Sequence, residues 1–333
     1  LERDWKPQNY SEKFFGPTRL REAMVNSRNL VSIRLLREIG IPYAMDYISS
    51  FGFDQSELPD NLSMALGSAS LVPLSIVRGY AVFANGGHLI DPYFIERIID
   101  AKGIVRFAAS PRVVCKDCKF DTESDITEIE VVEKVEPSFR PLQIETEENL
   151  LVTEQESSQA QNMVAKPTPA TPVITEQNAF LIRSMMMDVV RRGTGKKAME
   201  LGRNDLAGKP GTTNEQRDAW FSGYNGDLVT TTWVGFDNYT PLGKREFGGT
   251  AALPIWITYM REALKDSPDR KRPVPPGLVN VRIDPETGAL AGSRQKNAIF
   301  EYFREEHVPR RDPQSMPADS ETQDTENLVR DIF

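Results

Sequence analysis

Cysteine and histidine are nearly missing from this chain, with two of each in 333 residues. Cys115 and Cys118 form a lone Cys-x-x-Cys pair, and His88 and His307 lie far from it in sequence. Such a pair fits half a zinc site, a redox pair or a local disulfide, and a tetrahedral zinc would need two further ligands. No zinc or organic cofactor is expected. No run of about eighteen apolar residues occurs, so nothing in the sequence reads as a bilayer-spanning helix. The chain opens Leu1-Glu2-Arg3-Asp4, without Met and without an apolar signal core, which reads as a piece of a longer product. A hydrophobic share of 39% and a charged share of 26% exclude a collagen or a coiled coil. The length allows two or three domains with a sizeable core.

The net charge of -8 is local in origin. Residues 120–172 hold 12 acidic and 3 basic side chains, and residues 312–333 hold 6 acidic and 1 basic. What is left is mildly basic and suits an anionic ligand. Lys and Arg do not cluster with aromatics, so a nucleic-acid footprint is not expected.

Periodicity places two helices over residues 17–39, broken at Ser27-Arg28-Asn29, with Thr18 as the first cap and Gly40-x-Pro42 as the stop. Residues 41–53 read as a further short helix, and Pro73 to Asn85 as a helix stopped by Gly86-Gly87. Residues 93–99 and 104–107 read as a hairpin around Asp-Ala-Lys-Gly. Residues 175–192 form a helix with Ile182, Met186, Val189 and Val190 inward. Strands follow at 205–213, 219–224 and 228–236, the last two around Asn225-Gly226-Asp227. A helix over 250–265 and a strand over 278–283 complete the pattern. Helices first and strands later predict an α/β chain of the α+β type, an antiparallel sheet flanked by helices plus a helical subdomain. The expected organisation is a helical part (1–107), an acidic Pro-rich insertion, partly disordered (108–174), a sheet part (175–311) and a disordered acidic tail (312–333).

Two short stretches carry chemistry. Ser27 and Asn29 sit two apart on a turn, where a hydroxyl can relay a proton and an amide can bond a peptide group. By itself the triplet describes a capping turn equally well. The second stretch is Gly208-Lys209-Pro210-Gly211-Thr212-Thr213 on a strand. It offers a positive charge, bare backbone for close approach and hydroxyls, a composition suited to a carboxylate. A phosphate-binding loop is disfavoured, since Arg203 stands where its first glycine belongs and Pro210 follows the lysine.

Ser-x-Asn, then Lys-x-Gly-Thr-Thr, then Arg217-Asp218-Ala219-Trp220-Phe221-Ser222-Gly223-Tyr224 and Thr232-Trp233-Val234-Gly235-Phe236-Asp237 together resemble the transpeptidase domain of class A, 1A-type penicillin-binding proteins. Matching stretches also include Trp5-x-Pro7-Gln8-Asn9-Tyr10, Thr18-Arg19-Leu20-Arg21, Phe83-Ala84-Asn85-Gly86-Gly87 and Arg192-Gly193-Thr194-Gly195. The likeness runs from about Trp5 to Arg311 and is weak only across the insertion.

That resemblance implies the serine β-lactamase/penicillin-binding transpeptidase fold and a D,D-transpeptidase of a bifunctional murein synthase. Its substrates would be peptidoglycan stem peptides ending in D-Ala-D-Ala, and β-lactams would trap it. It implies Ser27 as proton relay, Asn29 as substrate-amide contact, Lys209 as the source of positive potential, and Gly211, Thr212, Thr213 and Pro210 as the strand that binds substrate. It further implies a periplasmic location at the inner membrane, with a membrane anchor and a glycosyltransferase region upstream, and lipoprotein or divisome and elongasome partners. In an oxidising periplasm Cys115 and Cys118 would be able to pair. The family's Ser-x-x-Lys nucleophile would fall before Leu1, so the chain alone is expected not to acylate. Ser293-Arg294-Gln295-Lys296 matches its letters but follows the lysine strand. Pro210 stands where the family usually has Thr, and weaker β-lactam binding is the expected result. An inactive penicillin-fold scaffold and a D,D-carboxypeptidase or β-lactamase are the alternatives.

Overall fold

The computed structural model describes residues 6–114 and 168–311. Cys115, Cys118, most of the acidic insertion and the tail after Arg311 lie outside the described residues. The chain folds as two compact units, a main unit of residues 1–89 and 172–333 and a second unit, Ile90–Thr171.

The main unit opens with short helices. α1 spans Leu20–Val25, α2 spans Asn29–Ile39 and α3 spans Ile41–Ser49. The break between α1 and α2 falls at the expected place, but Thr18 does not cap α1. Its hydroxyl donates to the Gly16 carbonyl at 3.0 Å, and Arg19 takes the cap position without a side-chain bond. The preceding turn has claimed the hydroxyl. Gly40, at φ 87°, ends α2 in a conformation that glycine alone adopts freely, and Pro42 opens α3. α4 spans Pro73–Asn85, as its proline start and glycine stop predict, with Gly86 at φ 95° donating to the Val82 carbonyl.

In the second unit β1 (Arg97–Ile99) pairs antiparallel with β2 (Val105–Ala108). Asp100 makes the turn: its Oδ1 accepts from the Lys102 and Ile104 amides, both at 2.9 Å. The first strand is shorter than its apolar run suggests: residues 93–96 are not in strand, although the Glu96 carbonyl still accepts from the Ala109 amide at 2.8 Å.

Returning to the main unit, α5 spans Glu176–Arg192, and the Thr175 hydroxyl accepts from the Asn178 amide at 3.2 Å. β3 (Ala207–Thr212), β4 (Asp218–Tyr224) and β5 (Val229–Gly235) form an antiparallel sheet in the order β3-β4-β5. The β4–β5 turn does not use a positive-φ glycine. Instead the buried Asn225 side chain accepts from the Asp227 and Leu228 amides at 3.0 and 2.8 Å. A π-helical turn, Gly248–Ala252, leads into α6 (Leu253–Ala263), so the expected 250–265 helix starts later than its composition implies. β6 (Leu278–Ile283) pairs antiparallel with β7 (Ile299–Arg304), a strand the sequence reading missed. Residues 292–298, which hold the Ser-x-x-Lys letters, contain turns and no helix.

The sheet is covered on both faces. Directly opposed residues share a face, so Gly208, Pro210 and Thr212 lie with Phe221 and Ala219 on the side of α6. There Phe221, Trp256, Leu253 and Met260 are fully buried, and the Phe221 and Trp256 rings meet edge to face at 5.0 Å. The indole N–H of Trp256 reaches the Thr230 carbonyl at 3.1 Å, which leaves its polar end satisfied. Each such side chain contributes about 1.5–3 kcal/mol. On the other face Ala207 and Tyr224 pack with Met186 of α5 and Ala84 of α4. Lys209 belongs to this second face, opposite Ser222.

Candidate active site

The local sequence around Ser27 produces an unusual backbone. The Arg28 amide donates to the Ala23 carbonyl at 2.8 Å, and the Ser27 amide donates to that of Met24 at 3.2 Å. This pair of bonds is the Schellman closure of α1, with Ser27 at the position normally given to glycine. Ser27 accordingly has φ 50°, a left-handed conformation that costs a side-chain-bearing residue about 1–2 kcal/mol. Strain of this kind persists where the surroundings over-determine it, as at reaction centres.

Lys209 reaches Ser27 across 182 residues of sequence: its Nζ donates to Ser27 Oγ in a short hydrogen bond, and to the Pro210 carbonyl at 3.2 Å. Burial lowers the Lys209 pKa from 10.5 to about 8, because a desolvated ammonium is disfavoured. Below the lysine lies a polar row. Ser222 Oγ and Thr231 Oγ1 share a hydrogen bond of 2.9 Å, and Tyr80 bonds to Ser222 while burial raises its own pKa to about 12.

The two sequence stretches thus meet through Ser27 and Lys209. Asn29 sits differently. It opens α2, and its Nδ2 donates to the Gln8 carbonyl at 3.0 Å. Beside it the Leu30 amide donates to Asn9 Oδ1 at 3.3 Å. Arg28 cannot cap α2, so the buried Asn9 supplies that acceptor from a distant segment.

The lysine strand is a sheet edge. The Thr213 amide donates to the Asp218 carbonyl at 3.1 Å, and antiparallel alternation then turns the N–H groups of residues 211, 209 and 207 toward β4. The backbone of 208, 210 and 212 faces outward. Pro210 therefore removes no ladder bond, and the Thr212 N–H is directed off the edge. The Thr212 hydroxyl accepts from the Gly248 amide at 2.9 Å, leaving its own proton available to donate. Thr213 closes the strand end, its Oγ1 accepting from the Asp218 amide at 2.8 Å. Gly211 lies under Trp220: a Cβ there would stand 3.3 Å from the Trp220 Cβ. Gly248 is tighter still, with an added Cβ 2.3 Å from the Trp220 carbonyl oxygen and 2.4 Å from that of Gly211. The sequence reading passed over this turn, and its signal was the pair Gly248-Gly249 ahead of an apolar helix.

Among the described residues no group of three His, Cys, Asp or Glu side chains is placed to hold a metal ion. The arrangement can do proton transfer and anion binding. A hydroxyl bonded to an ammonium can pass a proton, and an outward N–H beside a positive charge can stabilise an oxyanion.

A family model described as "Penicillin binding protein transpeptidase domain" matches residues 2–241. Penicillin-binding protein 1A of Pseudomonas aeruginosa is 45% identical over 309 residues, 93% of this chain and 37% of that protein. Penicillin-binding protein 1A of Escherichia coli is 38% identical, over 92% of this chain and 39% of that protein. The crystal structure of penicillin-binding protein 1A from Haemophilus influenzae superposes with a TM-score of 0.74 at 36% identity, covering 92% of this chain and 43% of that one. The chain thus spans well under half the length of these relatives, and among its described residues no helix is long and apolar enough to cross a membrane. The fold expectation is met, and with the ordered motifs, the Ser27–Lys209 contact and the matched span, this chain belongs to the family of penicillin-binding protein transpeptidase domains.

Proposed function

We propose that this chain is the relay and substrate-binding part of a peptidoglycan D,D-transpeptidase. One observation carries the reading: Lys209 Nζ bonds to Ser27 Oγ at the open edge of a strand whose Thr212 N–H faces outward. The substrate is a stem peptide ending in D-Ala-D-Ala, an extended chain with a terminal carboxylate. Such a chain adds to a free sheet edge by main-chain hydrogen bonds. Lys209 supplies positive potential for the carboxylate, and the Thr212 hydroxyl, whose own proton is free, donates to it from the strand edge.

In the reaction a serine hydroxyl attacks the carbonyl of the penultimate D-Ala. The C–O bond forms and the oxyanion gathers at the Thr212 N–H. The proton that the attacking hydroxyl gives up is relayed through Ser27 to the amide nitrogen as the C–N bond breaks, and free D-Ala departs. An amine of a second stem peptide attacks the ester, restores the serine hydroxyl and completes the cross-link. Resemblance to the family implies that the attacking serine belongs to a Ser-x-x-Lys segment that comes before Ser-x-Asn in chain order. This chain supplies groups that bind substrate and move protons. β-Lactams enter as mimics of the dipeptide. The proposed location is outside the cytoplasmic membrane, where stem peptides are cross-linked.

The test uses the full-length gene product with a fluorescent penicillin. Covalent labelling at one site per molecule is expected, lost on prior treatment with unlabelled β-lactam. Product analysis then separates transfer from hydrolysis: cross-linked dimer supports the reading, and release of D-Ala without dimer overturns it.

A further inference from the structure

The segment that ends in Ser27 is poorly equipped to hold itself in place. α1 has six residues, fewer than two turns, and only Ala23 and Val25 are buried. A helix this short has little stability of its own. Its charged side chains, however, are held by partners on other elements. Arg21 Nε donates to both carboxylate oxygens of Glu301, at 3.0 and 2.7 Å. Arg21 Nη1 reaches Asp188 at 3.1 Å and Nη2 reaches the Ser184 hydroxyl at 3.0 Å. The Arg21 and Glu301 side chains are each 12% exposed. Burial works against the Arg21 charge, yet its carboxylate partners more than offset it and its pKa is raised. Neighbouring bonds extend the set: Arg192 of α5 grips Glu22 at 2.7 and 3.0 Å, and Arg19 donates to the Pro285 carbonyl at 3.0 Å.

The partners of Arg21 and Glu22 come from α5 and β7, and α5 packs directly on the strand that carries Lys209. At the other end of α1, the Thr194 amide donates to the Val25 carbonyl at 3.3 Å, just after α5. The relation between Ser27 and Lys209 is therefore fixed in two steps. Apolar packing sets α5 against β3, and the ionic clamp sets α1 against α5.

From this geometry we infer that Arg21, held by Glu301 and Asp188, is a positioning residue whose clamp on α1 keeps the Ser27 hydroxyl on the Lys209 ammonium. Arg suits the task because its rigid fork fixes direction as well as distance, which an ammonium cannot do. The inference rests on the proposed function only where acylation is its readout.

The test compares full-length wild type with Arg21→Met, Arg21→Lys and the milder Glu301→Gln. Acylation by a chromogenic cephalosporin is followed over a range of concentrations, separating the acylation step k2 from the binding constant K. In Arg21→Met, k2 falls about 10- to 100-fold, the range expected for a misplacement near 1 Å, while K stays within about twofold. Arg21→Lys and Glu301→Gln fall between. Ile257→Val, on the buried face of α6, lowers the melting temperature and leaves k2 unchanged. Hydrogen exchange gives a reading independent of catalysis: the amides of Ser27 and Arg28 exchange faster in the Arg21 and Glu301 variants, and those of α6 do not. A k2 within twofold of wild type in both Arg21→Met and Glu301→Gln overturns the inference. So does a loss matched by Ile257→Val, or unaltered exchange at Ser27 and Arg28. If wild type itself is not acylated, the proposed function fails, and the exchange data alone decide the clamp.

Discussion

Replacing Ser27 by glycine and by alanine should separate backbone strain from chemistry at one position. Ser27 occupies φ 50° as the closing residue of α1. Glycine relieves a left-handed penalty of about 1–2 kcal/mol. It also loosens the unfolded chain, which costs about 0.4–1 kcal/mol. Both substitutions lose the hydrogen bond from Lys209, a net loss of about 1.5–3 kcal/mol for a charged donor in a buried setting. Alanine keeps the strain and loses the bond, so it should be less stable than glycine by roughly 0.5–1 kcal/mol, which is about 1–4 °C in melting temperature for a domain of this size. Acylation should fall in both variants by about 10²–10⁴, the share of a positioned proton-transfer group. Thermal melts and penicillin-labelling rates of the full-length protein are the assays. Alanine matching or exceeding glycine in stability would refute the strain argument. Glycine keeping its labelling rate within threefold of wild type would refute the relay.

Lys209 gives a pH signature. Its folded pKa of about 8 lies below the unfolded 10.5, so between those values the unfolded chain binds more protons and stability rises with pH. The penalty, on the order of 3 kcal/mol at most, is present below about pH 8 and is relieved above it. Lys209→Met should flatten this rise, and an unchanged slope from pH 8 to 10.5 in thermal melts would contradict it. For the same reason β-lactam binding should weaken as pH passes about 8 and the lysine loses its charge. Pro210→Thr adds a hydroxyl and an outward N–H without disturbing the ladder, and a gain of about 0.5–1.5 kcal/mol in acylation is expected, read as a two- to tenfold faster rate. An unchanged rate would show that the missing hydroxyl contacts nothing. Gly248→Ala drives a Cβ to 2.3 Å from the Trp220 carbonyl oxygen, where only backbone can yield. A stability loss of about 1–3 kcal/mol with slower labelling is expected, and a normal melt would show that the turn is free to shift.

How much of this was legible in the sequence depends on the range of the cause. α4 was read to the residue because its proline start and glycine stop are local. The β4–β5 hairpin was placed correctly for a partly wrong reason: its turn is held by the Asn225 side chain, not by a positive-φ glycine. β7 escaped because Ile299-Phe300-Glu301-Tyr302-Phe303-Arg304 lacks a clean alternation, and its pairing partner begins 21 residues earlier at Leu278. At the candidate site, Ser27 and Lys209 came from motif spacing, which registers the family's order but not distance. Arg21 figures in the sequence only as part of the Thr18-Arg19-Leu20-Arg21 stretch and carries no role there, since a charged residue on a short helix reads as a solvated face and its partners lie 163 to 280 residues away.

The free edge of β3 ties these observations together. An extended substrate can add to this sheet only if β3 stays unpaired, which leaves the outward amide of Thr212, at the exposed end of the strand, open to any other strand. Pro210, two residues before it, blunts that edge, since proline cannot donate to an invading chain. The same substitution withdraws a hydroxyl from the substrate's path. Pro210 is thus expected to trade ligand affinity for resistance to edge-to-edge association. Pro210→Thr should then raise both the labelling rate and the tendency to aggregate on heating, measured by light scattering at equal protein concentration. Faster labelling with unaltered scattering would confine the role of Pro210 to the site. Increased scattering with an unaltered rate would confine it to the edge.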